Sequence, residues 1–521
     1  MKDWRIGIDV GGTNTDAVVL DENLNLVAAT KHPTTEDVMG GIKGAMATVL
    51  SAEGVDRSRI GYAMLGTTHC TNAIVERKRL NRVAVLRLGA PATAAIKPMI
   101  DWPADLRSAI NDQWYLVGGG HEFDGREIAP LDEAEIERIA KEIKGEFESV
   151  AITSVFSPVD NSHETRAAEI LRAELGQDFP ISISSEIGSV SLLERENATI
   201  LNAALNDVAK TTSESFVAAL EHEGIGDAEI YLCQNDGTLM SAEYAMRYPI
   251  LTIACGPTNS IRGASFLTGL RDAVVVDIGG TTTDLGVLSK GFPRESMLAV
   301  EIGGVRTNFR MPDIISIGLG GGSIVRVRED GSVTVGPDSV GYQVTERALC
   351  FGGDTFTATD LVVAKGAAQG VGDASLVAHL DPAVVDAGIA EMERMAADCI
   401  DRMKTSAGDI EVILVGGGSI LLPGSLEGVS CVHRPENFGV ANAVGSAISQ
   451  VSGQIERVFS LDNLGRAETL EVAKGLAVEE AIKAGADPES IEIVEVEDVP
   501  LAYLPGNATR VRVKAVGNLK I

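Results

Sequence analysis

The sequence predicts an α/β fold with a duplicated core, a cleft between the two halves and a small C-terminal α+β unit. Three observations predict it. Short apolar, β-rich runs alternate with amphipathic helical periods along most of the 521 residues. A Gly-rich hairpin signature occurs twice with matching flanks. Two further apolar strands run straight into glycine clusters.

The first strand is RIGIDV, Arg5 to Val10, followed by the turn GGTNTD and a second apolar run, AVVLD. A helical period spans Asp37 to Ala52, and another spans Leu131 to Ser149, with charges opposite an apolar face. RVAVLRLG, SVAITSV and ISISS read as strands between them. Ala273 to Leu288, AVVVDIGGTTTDLGVL, repeats the opening hairpin. With Asp9 laid on Asp277, eight of the fifteen positions from Ile6 to Leu20 are identical. One such turn is an ordinary hairpin signal; two with matching flanks mark an internal duplication.

A long amphipathic helix is expected over Ala383 to Met403. The tail from Ser452 carries a helix near Leu470 to Ala484 and an acidic run, IEIVEVED, read as a solvated strand edge. Its last strand, RVRVKAV, alternates cations with valine as an exposed strand does. The expected division is residues 1–185 with the first turn, 186–451 with the second turn and the later glycine clusters, and 452–521 as an appended extension.

Acidic residues number 74 and basic ones 44, a net charge of −30, which repels a phosphate backbone and argues against a nucleic-acid partner. An anion must then be held locally, by backbone N–H groups, a metal or a few placed cations. The six cysteines are scattered without CxxC or zinc-finger spacing, which fits a reducing cytoplasm. The opening MKDWRIGIDVGG has no secretory h-region, and no 18-residue apolar window suggests a membrane span.

The two DxGGTxTD turns carry the chemistry. Paired glycines bring backbone N–H groups close to a ligand, threonine hydroxyls add donors, and an Asp ending the preceding strand can hold Mg²⁺ through water or orient a nucleophile. Two such turns facing each other could grip the β,γ-phosphates of ATP. The candidates are Asp9 and Asp277 as catalytic and metal-holding groups. Gly11, Gly12, Thr13, Thr15, Gly279, Gly280, Thr281 and Thr283 are the candidates to lie around the phosphates, with two ordinary hairpins as the alternative. VILVGGGSILLPG, Val412 to Gly424, offers Gly416, Gly417 and Gly418, with Ser419 opening a helix, toward a nucleotide's ribose or phosphates, or is a plain strand–helix loop. ISIGLGGGSIVRV offers Gly320 and Gly321, or a tight turn only. Asp16 and Asp284 are expected to bond turn N–H groups. His69, after Gly66-Thr67-Thr68, is either a substrate-facing donor or base or a loop histidine bonded to nearby backbone. Cys255 reads as a buried small residue rather than a nucleophile. Arg195 and Glu194 fit a solvated face or a cleft equally.

The tandem turns followed by VGGGSILLPG resemble the actin, Hsp70 and sugar-kinase superfamily, which implies two RNase H-like domains clamping ATP. More narrowly, the chain resembles the A subunit of the hydantoinase/oxoprolinase family. The carrying residues are IGIDVGGTNTDAVVLD, GTTHCTNAIVERK, SSEIGSVSLLERENATILNAAL, QNDGTLM, CGPTNSIRGA, VVDIGGTTTDLG and SIGLGGGSI, in order over roughly residues 1 to 450. The resemblance implies ATP-dependent opening of a cyclic amide such as a hydantoin, oxoproline or another lactam. The amide oxygen is phosphorylated, and a B-type partner subunit completes hydrolysis; homodimers are also consistent.

His69 and Cys70 replace the usual small residues after GTT, and CGPTNS replaces SGPAGG. The chain is also shorter than typical members. These departures bear on the substrate rather than on ATP. Two other readings are a small-molecule kinase, although the zinc cluster of ROK-type kinases is not found, and a non-catalytic ATP-dependent switch.

Overall fold

A Gly-Gly pair between two apolar runs closes a tight hairpin, and both expected hairpins form in the computed structural model. Strand Trp4–Val10 lies antiparallel to Asn14–Leu20, with Asp9 opposite Asp16. Ala273–Ile278 lies antiparallel to Thr283–Ser289, with Asp277 opposite Asp284. The turns close alike: Gly11 N–H donates to Asn14 O and Gly279 N–H to Thr282 O, both at 2.9 Å. The structure describes residues 2–11, 14–33, 38–188, 190–296, 300–308, 311–404, 407–462, 464–502 and 507–519. Gly12 and Thr13 lie outside the described residues, as does Asp37 at the start of the helix Val38–Leu50.

Each hairpin is extended in the same order and sense. The first is flanked by Leu26–Pro33 on one side. On the other side run Ile60–Thr67 and Glu229–Cys233, parallel to Trp4–Val10. The second is flanked by Ile314–Ile317 on one side and by the parallel strands Ile410–Val415 and Val429–His433 on the other. The duplication read from fifteen residues therefore extends to two five-strand cores. Alternate residues of the central strands, Ile6 and Ile8 in one and Val274, Val276 and Ile278 in the other, are fully or almost fully buried, as in parallel sheets covered on both faces.

Between Ile60–Thr67 and Glu229–Cys233 the chain builds a separate all-parallel sheet in the order Gln113–Gly118, Val83–Ala90, Ser149–Ser154, Ile181–Ile183. The helical period at Leu131 yields the helix Glu133–Ile143, which the Asp132 carboxylate caps by accepting from Glu135 N–H. Ser149 already belongs to the next strand. Pro382–Met403 forms the long helix, with Asp381 as cap and proline at the first turn.

The tail strands extend the first sheet to nine strands, and the helix Arg466–Lys483 covers them. The acidic run lies on Glu492–Pro500, the sheet's edge strand, as expected. The last strand corrects the sequence reading. Ala508–Gly517 lies inside the sheet between Val451–Ser460 and Glu492–Pro500, and Arg512 and Lys514 are only 2% and 4% exposed. Arg512 pairs with Glu295 and Glu495, and Lys514 with Asp236 and Glu295. Charge alternating with valine looks the same in a sequence whether the cation meets water or a buried carboxylate.

Two helices join the halves. Cys255–Thr268 leads into the second hairpin, and Ala441–Ile448 leads back to the first sheet. They cross in backbone contact. A methyl group at Gly263 would lie 1.8 Å from Ala441 O, and one at Gly445 would lie 1.8 Å from Asn259 O.

Candidate functional site

Asp9 and Asp277 end the central strand of each core, at the carboxyl end where α/β sheets bind ligands. Asp9 is 3% exposed. Its two oxygens accept from Asn259 Nδ2 at 2.8 Å and Asn442 Nδ2 at 3.0 Å. Burial is the main force pushing its pKa up to about 6. The two amides oppose that shift, while the Asp16 and Asp277 carboxylates add to it. Asp277 accepts from the Ser260 hydroxyl and is likewise raised by burial. Consecutive residues of one joining helix thus hold the carboxylates of both halves. Asp9 is buried and Asp277 half-buried, and the Asp277 charge works against ionisation of Asp9; carboxylate oxygens are the ligand type that hard divalent cations take.

The partners across each hairpin bond side chains, and among the described residues neither accepts from a turn N–H group. Asp16 pairs instead with Lys31, whose Nζ lies 2.9 Å from Oδ2. Asp284 accepts from the Ser316 hydroxyl and is pushed up to about 6, chiefly by burial. Lys31 also favours the ionised form of Asp277.

Thr15 is fully buried, and its hydroxyl has no partner among the described residues. Thr283 is also fully buried, and its hydroxyl donates to Leu319 O at 2.6 Å, so that proton is not available to a phosphate. Thr281 is exposed beside the half-buried Gly279 and Gly280.

The later glycines pack onto the second turn. Gly321 N–H donates to Gly279 O at 3.1 Å and Gly418 N–H to Ile278 O at 2.7 Å. A methyl group at Gly320 would lie 2.5 Å from Thr281 N, and one at Gly416 (φ +81°) 2.2 Å from the Asp277 carboxylate. Gly417 is exposed and faces open space. Ser419 opens only a single 3₁₀ turn, Ser419–Leu421, rather than a helix.

Register also reveals a counterpart. Gly66 pairs with Asp9 as Val415 pairs with Asp277, so Gly66–His69 occupies in the first half the place of Val415–Gly418 in the second. His69 begins the helix His69–Glu76, is 7% exposed, and hydrogen-bonds the Thr67 hydroxyl through Nδ1. Burial, helped by Arg79, pushes its pKa down to about 4, so it is neutral at physiological pH. Cys255 is buried and its thiol donates to Thr67 O at 3.4 Å. Arg195 belongs to neither a solvated face nor the cleft. It is fully buried, bonding Ser184 Oγ at 2.9 Å and Ser154 O at 2.6 Å.

Lys31, Asn442, Asn259 and Ser260 were not selected from the sequence as site residues. The last two lie within CGPTNS, where the departure from the family pattern was itself a signal; Asn442 carried none. His121, Glu127 and His163 gather from separate segments with donor atoms within 4.8 Å of one another. His163 Nδ1 accepts from Gly120 N–H at 3.0 Å, which puts the ring proton on Nε2, facing Glu127 at 3.1 Å. His163 and Glu127 are thus tied to each other, while the buried His121 Nδ1 has no hydrogen-bond partner among the described residues. No helix among the described residues is long and apolar enough to cross a membrane.

The family description "Hydantoinase/oxoprolinase N-terminal region" matches residues 5–175, and "Hydantoinase/oxoprolinase" matches residues 195–370. The caprolactamase subunit alpha of Pseudomonas jessenii is 27% identical over 496 residues, covering 88% of this chain and 68% of that protein. An uncharacterized protein of Methanocaldococcus jannaschii is 28% identical, covering 68% of this chain and 56% of that protein. The acetone carboxylase beta subunit of Xanthobacter autotrophicus is 23% identical, covering 69% and 54%. The chain thus spans little more than half the length of two of these relatives. The crystal structure of ATP-dependent caprolactamase from Pseudomonas jessenii superposes with a TM-score of 0.78 at 20% identity, over 99% of this chain and 88% of that one. A nucleotide-free acetone carboxylase structure superposes with a TM-score of 0.68 at 18% identity, over 99% and 88%. These two share its α/β fold.

Proposed function

The chain belongs to the hydantoinase/oxoprolinase family, and from that premise we propose that it opens a cyclic amide at the expense of ATP, as the A-type subunit of a two-component hydrolase. One observation carries the reading. Asn259 and Ser260, adjacent on one helix, hold Asp9 and Asp277, the matching carboxylates of two matching hairpins. A cleft so built has backbone N–H groups and a carboxylate pair from both sides, which suits a magnesium triphosphate in a chain of net charge −30. The relatives' names support the substrate class, since they include a caprolactamase alpha subunit and a 5-oxoprolinase of Dictyostelium discoideum.

Bound ATP would supply a phosphoryl group to the amide oxygen, turning a poor electrophile into one that water can attack. Asp9 and Asp277 would hold Mg²⁺ through water. Asn259 and Asn442 fix both Asp9 oxygens, so the carboxylate keeps one orientation as charge develops. Lys31, already at Asp16, would offset negative charge at the cleft. The open Gly417 lies where a nucleoside can approach the backbone. His69, neutral and tied to Thr67, would donate or accept one hydrogen bond toward the ring rather than act as a cation. Ring opening would be completed with a B-type partner in the cytoplasm, where the six unpaired thiols stay reduced.

The test is product analysis with a panel of lactams and hydantoins, with and without a B-type subunit. The expected products are ADP, phosphate and the ring-opened acid. Asp9→Ala and Asp277→Ala should each lower amide-dependent ADP release by about 10²-fold or more while the fold survives. Wild-type turnover in both variants defeats the assignment. A stable phosphorylated product would identify a kinase, and ATPase activity indifferent to amides a switch.

A further inference from the structure

A cavity of about 660 Å³ opens beside the cleft, within the size range of small-molecule sites. Most of its lining comes from three places. Ser185 to Gly188 follow Ile181–Ile183, a strand of the all-parallel sheet. Gln234 to Asp236 follow Glu229–Cys233, a parallel strand of the large sheet. The third wall is the tail, including Gln454, Ile455 and Arg512. The cavity therefore sits at the carboxyl ends of two sheets, where α/β folds place ligands. It is also close to the carboxylates. Cys233, one residue before the Gln234 wall, is in contact with Asn259, the amide that holds Asp9.

The lining sets the ligand's chemistry. Tyr244 and Tyr248, with ring centroids 4.7 Å apart, offer an apolar face. The buried Ser185 hydroxyl has no partner among the described residues. Three of the four cations lining the cavity are committed, Lys483 to Glu480 among them; the fourth, Arg457, is exposed to solvent. Arg512 is bound to Glu295 and Glu495, Lys514 behind it to Asp236 and Glu295, and Arg247 to Glu186 at 2.6 Å. The Tyr248 hydroxyl takes the other Glu186 oxygen at 3.0 Å. At the end formed by Arg512, Glu186 and Arg247, away from Arg457, a ligand carboxylate would have to break one of these pairs and would face the released acid; an uncharged ring with one amide to satisfy would not.

We propose that this cavity is the ring pocket, that the C-terminal tail builds its selective wall, and that it takes uncharged cyclic amides in preference to rings bearing a carboxylate. The proposal rests on the cyclic-amide reading above and adds to it a location and a charge class.

Calorimetric binding to the full chain, with ε-caprolactam, hydantoin and 5-oxoproline as probes and a non-hydrolysable ATP analogue titrated in parallel, tests it. The uncharged rings should bind at least about tenfold more tightly than oxoproline. Ser185→Leu and, on another wall, Asn161→Leu should each weaken ring binding about tenfold or more and leave the nucleotide affinity unchanged. Glu186→Gln, which releases Arg247, should raise oxoproline affinity about tenfold, a gain that lost packing would not produce. Ring binding unaltered by both leucine variants overturns the location while leaving the cyclic-amide reading intact. Equal affinity for oxoproline in the wild type overturns the charge class. If no amide binds or stimulates ADP release, the proposed function itself fails, and the pocket assignment with it.

Discussion

At the scale of single residues, Asp9 is a carboxylate that its surroundings discourage from ionising. Its pKa rises from an ordinary 3.8 to about 6, so the native state holds a proton that the unfolded chain has released. The sign follows: stability attributable to Asp9 is complete below about pH 4 and is lost as pH rises toward 6. The loss is on the order of 3 kcal/mol. Asp9→Asn cannot ionise, so its unfolding free energy should fall less steeply than the wild type's between pH 4 and 7 in denaturant titrations. Parallel curves would mean that Asp9 titrates normally. The same titration should set the acid limb of amide-dependent turnover near pH 6, and His69→Asn should keep that limb, because His69 is already neutral there. The partners that hold Asp9 were not legible in the sequence. Asn259 and Asn442 stand 250 and 433 residues away, and an asparagine has no spacing signature of its own.

At the scale of elements, the hairpins were legible because everything that makes them is local: a strand-forming run, two glycines and a second run. The long helices were legible for the same reason, through period and caps. The crossing of Cys255–Thr268 with Ala441–Ile448 was not, since it depends on two glycines far apart in the chain. Gly445→Ala would drive a methyl group to 1.8 Å from Asn259 O and should cost about 3 kcal/mol or more. Gly417→Ala meets nothing within 4 Å and should change stability by less than about 0.5 kcal/mol. Thermal or urea unfolding of the two variants side by side checks the contrast, and equal stabilities would mean the helices can part without cost.

At the scale of the whole molecule, the tail is part of the architecture. Lys514 and Arg512 bring one terminal strand into ion pairs with Asp236 of the first half and Glu295 beside the second hairpin. Lys514→Met keeps the volume and removes the charge, leaving Asp236 without its ion pair in a buried setting. The expected cost is about 3–5 kcal/mol, read as a lower urea midpoint. An unchanged midpoint would show that the tail folds without this contact. Charge alternation in the tail could not reveal this role, because Asp236 and Glu295, which answer those cations from outside the tail, lie more than 200 residues away along the chain.

The grip on the paired carboxylates has a mechanical consequence. Because Asn259 and Ser260 are neighbours on one helix pinned at its glycine crossing, a tilt of that helix moves both grips in step. Because one helix reaches both carboxylates, the two halves cannot swing apart without straining at least one of its two grips.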